Sequence, residues 1–358
     1  MSYFFKHLGM VAFALLPILS SAALQTGKVQ AGKVSGTVTL IDAKAQRKPL
    51  ANGATFQEGS LVETGVNSTA ELVFSNGSSV VLTPNTLLEL RTFRQVPSAG
   101  ITDPYRQIEK DPSPSVTELE VPRGKIIGEV RKLNSLSTFT VKTPAGLVRI
   151  RGTVFAVEYR VSPDGIGRVI VDCIRGSVET TVYSSNAGPL TVDPGMQAAS
   201  AVASAALINS LAQAPGATKP AAPSAATLDV LSKPVKIMLY PIPAEDMAAI
   251  SALLAANSTL PVEVAATINA MAQTMPTRAQ IFPNGAGGPP NSTFAKEITD
   301  PLPNEAPTTR VGQANGPNGP MTTTTGGSSS LDDTLKRITD NVDRTVEQNQ
   351  VNPTPTGS

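Results

Sequence analysis

Between Thr143 and Tyr159 the chain reads Thr-Pro-Ala-Gly-Leu-Val-Arg-Ile-Arg-Gly-Thr-Val-Phe-Ala-Val-Glu-Tyr. Ile150, Val154 and Val157 interleave with polar and small residues, and a Pro-Ala-Gly turn opens the run, so the stretch reads as strand and not helix. Gly152 interrupts it where a β-bulge or a close backbone approach belongs.

The same pattern extends in both directions. From about Gly32 to Ala199 short β-like runs alternate with turn residues, which predicts an all-β, sandwich-like domain over residues 24–200. Thr69 to Phe74 and Ser79 to Leu82 flank Ser75-Asn76-Gly77-Ser78, and Asn-Gly tolerates positive φ at both central positions of a tight hairpin. Thr83-Pro84-Asn85 then turns the chain into Leu87 to Phe93. Val96 to Val116, with Pro97, Pro104, Pro112 and Pro114 among polar residues, reads as an inserted surface loop. Beyond it, strands are expected over 119–121, 125–130, 137–142, 147–161, 168–174, 177–182 and 190–192. A region of roughly 150 residues buries enough apolar surface to fold without disulfides.

The ends are different. Lys6 and His7 precede an almost wholly apolar run from Leu8 to Leu19, and Ser20-Ser21-Ala22-Ala23 supplies the small residues of a cleavage site, so residues 1–23 read as a secretory signal peptide. The competing reading is an uncleaved anchor, but the run is shorter than the ~20 residues a spanning helix needs, and Pro17 breaks it. No later stretch approaches a span, so a mature protein in the periplasm or outside the cell is expected, with no integral span after cleavage.

Composition changes near residue 200, where Ala, Pro, Thr and Ser take over; 201–243 reads as linker. Ala244 to Ala256 and Val262 to Met275 have helical spacing, with Met247, Ile250, Leu253 and Leu254 on one face and Ile268, Met271 and Met275 on another, which predicts a helical hairpin over 244–275. Such Met-bearing faces are either packing surface or a ligand groove. Residues 276–330 are rich in Gly, Pro, Asn and Thr and are expected to be disordered. An apolar stripe of Leu331, Leu335, Ile338, Val342 and Val346 then marks an amphipathic helix over 331–349, capped by Ser330. It either self-associates or docks on a partner, or forms transiently in a disordered tail.

The only histidine, His7, leaves with the leader, which removes Ser-His-Asp and Cys-His nucleophile schemes, His-ligated zinc and histidine proton shuttles. The charge is balanced at 29 basic against 28 acidic residues, and removing Lys6 leaves 28 against 28, so there is no basic field for nucleic acid. No Trp and 4% aromatic residues leave few stacking platforms for bases or sugars. The single cysteine, Cys173, closes no intramolecular disulfide and reads as a buried thiol beside Val169 and Val171. Glu118 and Glu120 share a strand face, as a carboxylate pair for glycosidic chemistry or as exposed strand charges. Arg149 and Arg151, with Arg131 and Lys132 upstream, suggest either a basic groove for an anionic envelope polymer or cross-strand pairing with Glu158, Glu129 or Asp172. Asp340-Asn341-Val342-Asp343 lacks the glycine and terminal glutamate of a calcium loop. No catalytic residue, cofactor site or metal site is assigned.

Several segments, in order, resemble the FecR-like extracytoplasmic domain: Gly59 to Leu72, Asn76-Gly77-Ser78, Leu82 to Thr86, Arg123-Gly124-Lys125-Ile126, Thr143 to Val157, Ile174 to Val178, and Val192 to Gln197. The resemblance spans about Gly53 to Ala199 and implies an all-β domain outside the cytoplasm with no enzymatic activity. The family's signalling members carry a cytoplasmic segment that contacts a sigma factor, one span, and a periplasmic portion that reads an outer-membrane transporter. Only seven residues precede the apolar leader here. The expectation is therefore a secreted, non-enzymatic binding or scaffold protein for an envelope protein or polymer. The alternatives are a sensor in sigma-factor signalling and an enzyme on envelope polysaccharide, which would gather Glu118, Glu120 or Glu129 in a cleft.

Overall fold

A computed structural model of the chain describes residues 23–183, 185, 187–204, 207, 235–257, 262–285 and 289–298. The expected leader and the expected helix over 331–349 lie outside these residues.

The strands are β1 (Gln25–Thr26), β2 (Val29–Ser35), β3 (Val38–Ile41), β4 (Arg47–Pro49), β5 (Thr55–Phe56), β6 (Ser60–Thr64), β7 (Thr69–Phe74), β8 (Ser79–Leu82), β9 (Leu87–Gln95) and β10 (Ser115–Glu129). They continue as β11 (Thr138–Thr143), β12 (Gly146–Ile150), β13 (Val154–Val161), β14 (Ile166–Arg175), β15 (Val178–Val182), β16 (Leu190–Val192), β17 (Met196–Ala203), β18 (Ile237–Pro241) and β19 (Lys296–Ile298). Three helices follow the β region: α1 (Ala244–Asn257), α2 (Val262–Thr274) and α3 (Arg278–Ile281).

Two sheets face each other. The first runs β4-β3-β6-β9-β10-β11-β12-β15-β16, with β1 against the end of β9. The second runs β5-β2-β7-β8-β10-β13-β14-β17-β18-β19. Among the described strand pairs only β10–β11 is parallel. Strand β10 belongs to both sheets: its residues 115–123 pair with β9 and its residues 124–129 pair with β8 and β13. Pro122 sits in a register shift between Glu120 and Arg123, and Gly124 follows with φ +97°. A side-chain carbon at 124 would lie 2.5 Å from the Thr86 Cα, so only glycine makes this crossing.

Between the sheets the strand alternation puts Phe93, Phe74, Phe139 and Phe155, in that order, in one interlocked row, edge to face, with successive centroids 5.1, 6.0 and 6.3 Å apart. Phe74 and Phe155 come from the second sheet and Phe93 and Phe139 from the first, so the row stitches the layers together.

The second sheet buries apolar residues on both of its faces. Val81, Ile127, Val154, Ala156 and Ile174 point away from the first sheet and are covered by Ile242, Met247, Ile250, Leu254, Val264 and Ile268. Helix α1 is tied down at its C-terminal end, where the Lys33 Nζ donates to the Ala256 carbonyl (2.7 Å) and the Thr69 hydroxyl bonds the Asn257 side chain (2.9 Å). A lysine there also complements the negative end of the helix dipole.

The structure corrects the sequence reading in five places. The strand expected over 147–161 breaks at Gly152 (φ +76°), with β12 in the first sheet and β13 in the second. The two strands expected over 119–121 and 125–130 are one continuous β10, because its sheet crossing needs no break. At Asn76-Gly77 only Gly77 has positive φ, and the Asn76 side chain instead accepts from the Ser78 N–H (3.1 Å). The hairpin of β7 and β8 has the expected bounds, and its turn is closed by a glycine bulge. The inserted loop is anchored: Tyr105 and Ile108 are buried on Val73, and Arg106 pairs with Glu71. Finally, the expected linker 201–243 contains β18, which extends the second sheet, and the segment 276–330 expected to be disordered contributes α3 and β19.

Leu254 is 1% exposed in the helix-to-sheet contact. Leu254→Ala is expected to lower the unfolding free energy by about 3 kcal/mol in urea titrations followed by far-UV circular dichroism.

Candidate functional site

The two outer faces differ in kind. On the second sheet, cross-strand register aligns Glu71, Val81, Ile127, Ala156, Asp172, Gln197 and Tyr240 in one row. Asp172 is 1% exposed beneath the helices; it receives a hydrogen bond from the Gln197 amide and lies 3.5 Å from the Lys125 Nζ. Glu158 is 3.9 Å from the same ammonium and pairs with Arg160 at 2.5 Å. Burial pushes the Asp172 carboxyl above its ordinary value, opposed by Lys125 and Gln197. Burial likewise raises Glu71, opposed by Arg106, and Glu129, opposed by Arg131 and Arg175. Tyr240 is raised for the same first reason, and its ring meets Phe282 edge-on at 5.3 Å. Above them Arg278 holds Asp246 at the start of α1, and the Arg278 N–H donates to Glu245 (2.9 Å).

The outer face of the first sheet carries no helix among the described residues. Its charges form a ladder: Arg47 and Arg123 on Glu63 (2.5 Å each), Arg91 on Glu120 (2.7 Å) and Glu89 (3.3 Å), Lys142 on Glu118 (2.8 Å), and Arg149 on Glu179 (2.7 Å). The two guanidiniums lower the Glu63 carboxyl, with the Arg47 hydrogen bond leading. Half-buried Thr39, Thr140, Thr181, Leu61, Leu87 and Leu147 fill the spaces between. Exposed ion pairs like these contribute little to stability, typically below about 1 kcal/mol each. They do hold side chains in place across the face.

The residues singled out in the sequence are dispersed. Glu118 and Glu120 do share the open face, each bound to its own cation, while Glu129 lies on the other sheet with Arg131 at 2.9 Å. No cleft joins the three. Arg149 is on the open face, Arg151 is exposed at the Gly152 corner, and Arg131 lies on the second sheet, bonding the Gly77 carbonyl (3.3 Å); the basic groove is not formed. Of the pairings expected for these cations, Arg131 with Glu129 is present, and Arg149 takes Glu179. Cys173 is 0% exposed and burial pushes its thiol up to about 12, which leaves it protonated and unreactive. Among the described residues no group of three or more His, Cys, Asp or Glu is placed to hold a metal ion, and no helix is long and apolar enough to cross a membrane.

Sequence reasoning missed the buried carboxylates Glu71 and Asp172. Their alternation put them opposite the core-facing Leu72 and Val171, a position that reads as solvent. Their cover arrives from Ile242 onward and from the anchored loop, and nothing local announces it.

Residues 60–179 match the family model described as FecR protein. They form a FecR-family domain. Two crystal structures of a protein from Parabacteroides distasonis, provisionally described as an anti-sigma factor, are similar at 17% and 18% identity. They have TM-scores of 0.29 and 0.28, and each likeness covers 40% of this chain and 54% of the other. No curated protein matches the chain. The matched FecR segment begins at β6 and ends within β15, so β17, β18 and the helices that seal the second sheet all lie C-terminal to it.

Because the folded state holds the Asp172 proton more tightly than the unfolded chain, the Asp172 contribution to stability is present below its ordinary value of 3.8 and is lost as pH rises through the elevated one. The unfolding free energy is therefore expected to fall as pH rises above about 4, and Asp172→Asn to flatten that slope. Urea titrations between about pH 4.5 and 7.5 read the difference.

Proposed function

We propose that this chain is an exported, non-enzymatic envelope protein, periplasmic or extracellular, whose FecR domain is a docking platform for an envelope protein or polymer. The observation that carries this reading is the asymmetry of the faces. One is sealed by α1 and α2, with its carboxylates buried. The other carries a field of held ion pairs and threonines, with no helix over it among the described residues. Dispersal of Glu118, Glu120 and Glu129 over two sheets supports the non-enzymatic reading against action on a polysaccharide, which needs paired carboxylates.

The sheet edges narrow the mode of binding. Strand β4 presents Arg47, Lys48 and Pro49, β19 presents Lys296 and Glu297, and the open side of β2 is occupied by Ala54 and Asn52. Charges and proline discourage strand addition at β4 and charges do so at β19, whereas β16, with Leu190, Thr191 and Val192, is an edge without either.

A photo-crosslinking residue at Thr140 or Thr181 is expected to capture a discrete envelope partner, whereas the same residue at the exposed Ala255 of α1 is expected to capture none. Equal capture at both places contradicts the platform.

A second reading, a regulatory sensor in sigma-factor-type signalling, is favoured by the family match. N-terminal sequencing of the exported protein separates the two: a start at Leu24 supports the platform, and a retained leader supports the relay.

A further inference from the structure

The end of the sandwich at which β1 enters the first sheet carries charge that the platform does not use. Gln25 pairs with Gln95, and Gln95 with Ser115, so Leu24 emerges beside the start of β10. The Ser115 N–H donates to the Ser137 hydroxyl (2.8 Å), and the Ser115 hydroxyl donates to the buried Asp111 carboxylate (3.1 Å). The Asp111 N–H donates in turn to the Lys132 carbonyl (3.2 Å), and Lys110 and Lys132 form a parallel bridge. A side-chain carbon at Gly152 would lie 3.2 Å from the Lys132 Cα, and one at Gly176 would lie 2.9 Å from the Gly152 carbonyl oxygen, which brings the neighbouring Arg151 and Arg175 to the same corner. Lys28 joins them: its carbonyl accepts from the Ser75 N–H (2.9 Å), and the Ser75 hydroxyl donates to the Gln95 side chain (2.7 Å).

Lys28, Lys110, Lys132, Arg151 and Arg175 are all exposed. Unlike the cations of the ladder, none of them is held in an ion pair among the described residues, and Arg175 acts on the buried Glu129 through its charge alone. The exposed Glu109 and Asp193 and the buried Asp111 border the group and are outnumbered by it. Two of the four large apolar side chains that stand exposed among the described residues are also here, Leu136 at 74% and Leu24 at 43%. Leu136 tops a turn closed by the Ser137 N–H on the Asn134 carbonyl (2.9 Å), and both Asn134 and Ser137 are tied to Asp111. The turn is held from below, and its leucine faces outward.

We propose that this end of the sandwich docks on an anionic lipid surface, with Leu136 and Leu24 entering the headgroup layer and the cations around them meeting lipid phosphates. Cations alone suit any polyanion, but leucines displayed among them gain from burial only where an apolar layer lies beneath the charge. The course of the chain agrees, because the apolar run from Leu8 to Leu19 joins the folded residues at this same end. At the other end of β9, past the Glu63–Leu87 pair, Val66 is 72% exposed, but the cations nearby, Arg47 and Arg123, are both held by Glu63. Docking by an end leaves both outer faces clear, so this inference stands apart from the platform reading.

The chain has no Trp, so a single one reports on its own surroundings. In the exported form that begins at Leu24, Leu136→Trp is expected to shift its emission to the blue with vesicles containing phosphatidylglycerol and to stay unshifted with phosphatidylcholine alone. Val66→Trp is expected to shift with neither. Adding Lys132→Gln and Arg151→Gln to Leu136→Trp is expected to weaken vesicle binding about thirty-fold, at about 1 kcal/mol for each cation lost from the surface. An unshifted Leu136→Trp, an equal shift at Val66→Trp, undiminished binding by the charge variant, or the same shift with soluble polyphosphate in place of vesicles overturns the docking. Should the charge variant fail to fold, the comparison of the two tryptophan positions decides. None of these outcomes alters the crosslinking expected at Thr140 or Thr181, so the two readings fail separately.

Discussion

The fold depends on residues that hold the left-handed backbone conformation at the points where the chain changes sheets. Between β2 and β17 the chain crosses from one sheet to the other ten times; nine of the crossings fall at Gly36, Gly53, Gly59, Asn67, Asn85, Gly124, Gly152, Gly176 and Gly195, each with φ between +54° and +97°, and the tenth, from β10 to β11 over residues 130–137, is a longer loop without one. A left-handed residue redirects the chain within one or two positions; an ordinary L side chain there costs about 1–2 kcal/mol. Because these corners are short, the strands that each one joins sit on opposite layers, and their alternation aims Phe93, Phe74, Phe139 and Phe155 into a common row. The core is a consequence of where the corners fall.

The same corners explain what was legible in the sequence. The segments that resemble the FecR-like domain include Thr83-Pro84-Asn85, Arg123-Gly124, Arg151-Gly152-Thr153, Arg175-Gly176-Ser177 and Asp193-Pro194-Gly195, each of them a crossing point. An all-β sandwich could be read from these and from the alternation between them. Which strands were continuous could not, because hydrophobic period does not distinguish a strand that bends through glycine, as β10 does at Gly124, from one that ends there, as β12 does before Gly152. The edges of the domain were obscured for another reason. Strand β18 and helix α1 follow a stretch with linker composition, and their partners Ser200, Ile127 and Val154 are distant in sequence.

The candidate site was less legible than the fold. Glu118 and Glu120 do share a face, as their spacing requires, yet their chemistry is decided by Lys142 and Arg91 from neighbouring strands. Glu71 and Asp172 looked solvated until the loop and helices covered them. With one face sealed by a helical hairpin, the outer face of the first sheet is the β surface left without a helix among the described residues, and the buried carboxylates belong to the seal. The exposed ladder, by contrast, fixes charges on the outer face of the first sheet.

The most direct test of the corner account uses Asn67 and Asn85, whose side chains are exposed, so that replacement alters backbone preference and little else. Unfolding free energies from urea titration are predicted to stay within about 0.5 kcal/mol of the parent for Asn67→Gly and Asn85→Gly, and to fall by about 1 kcal/mol for Asn67→Ala and Asn85→Ala. Alanine and glycine variants of equal stability at both positions would contradict the account.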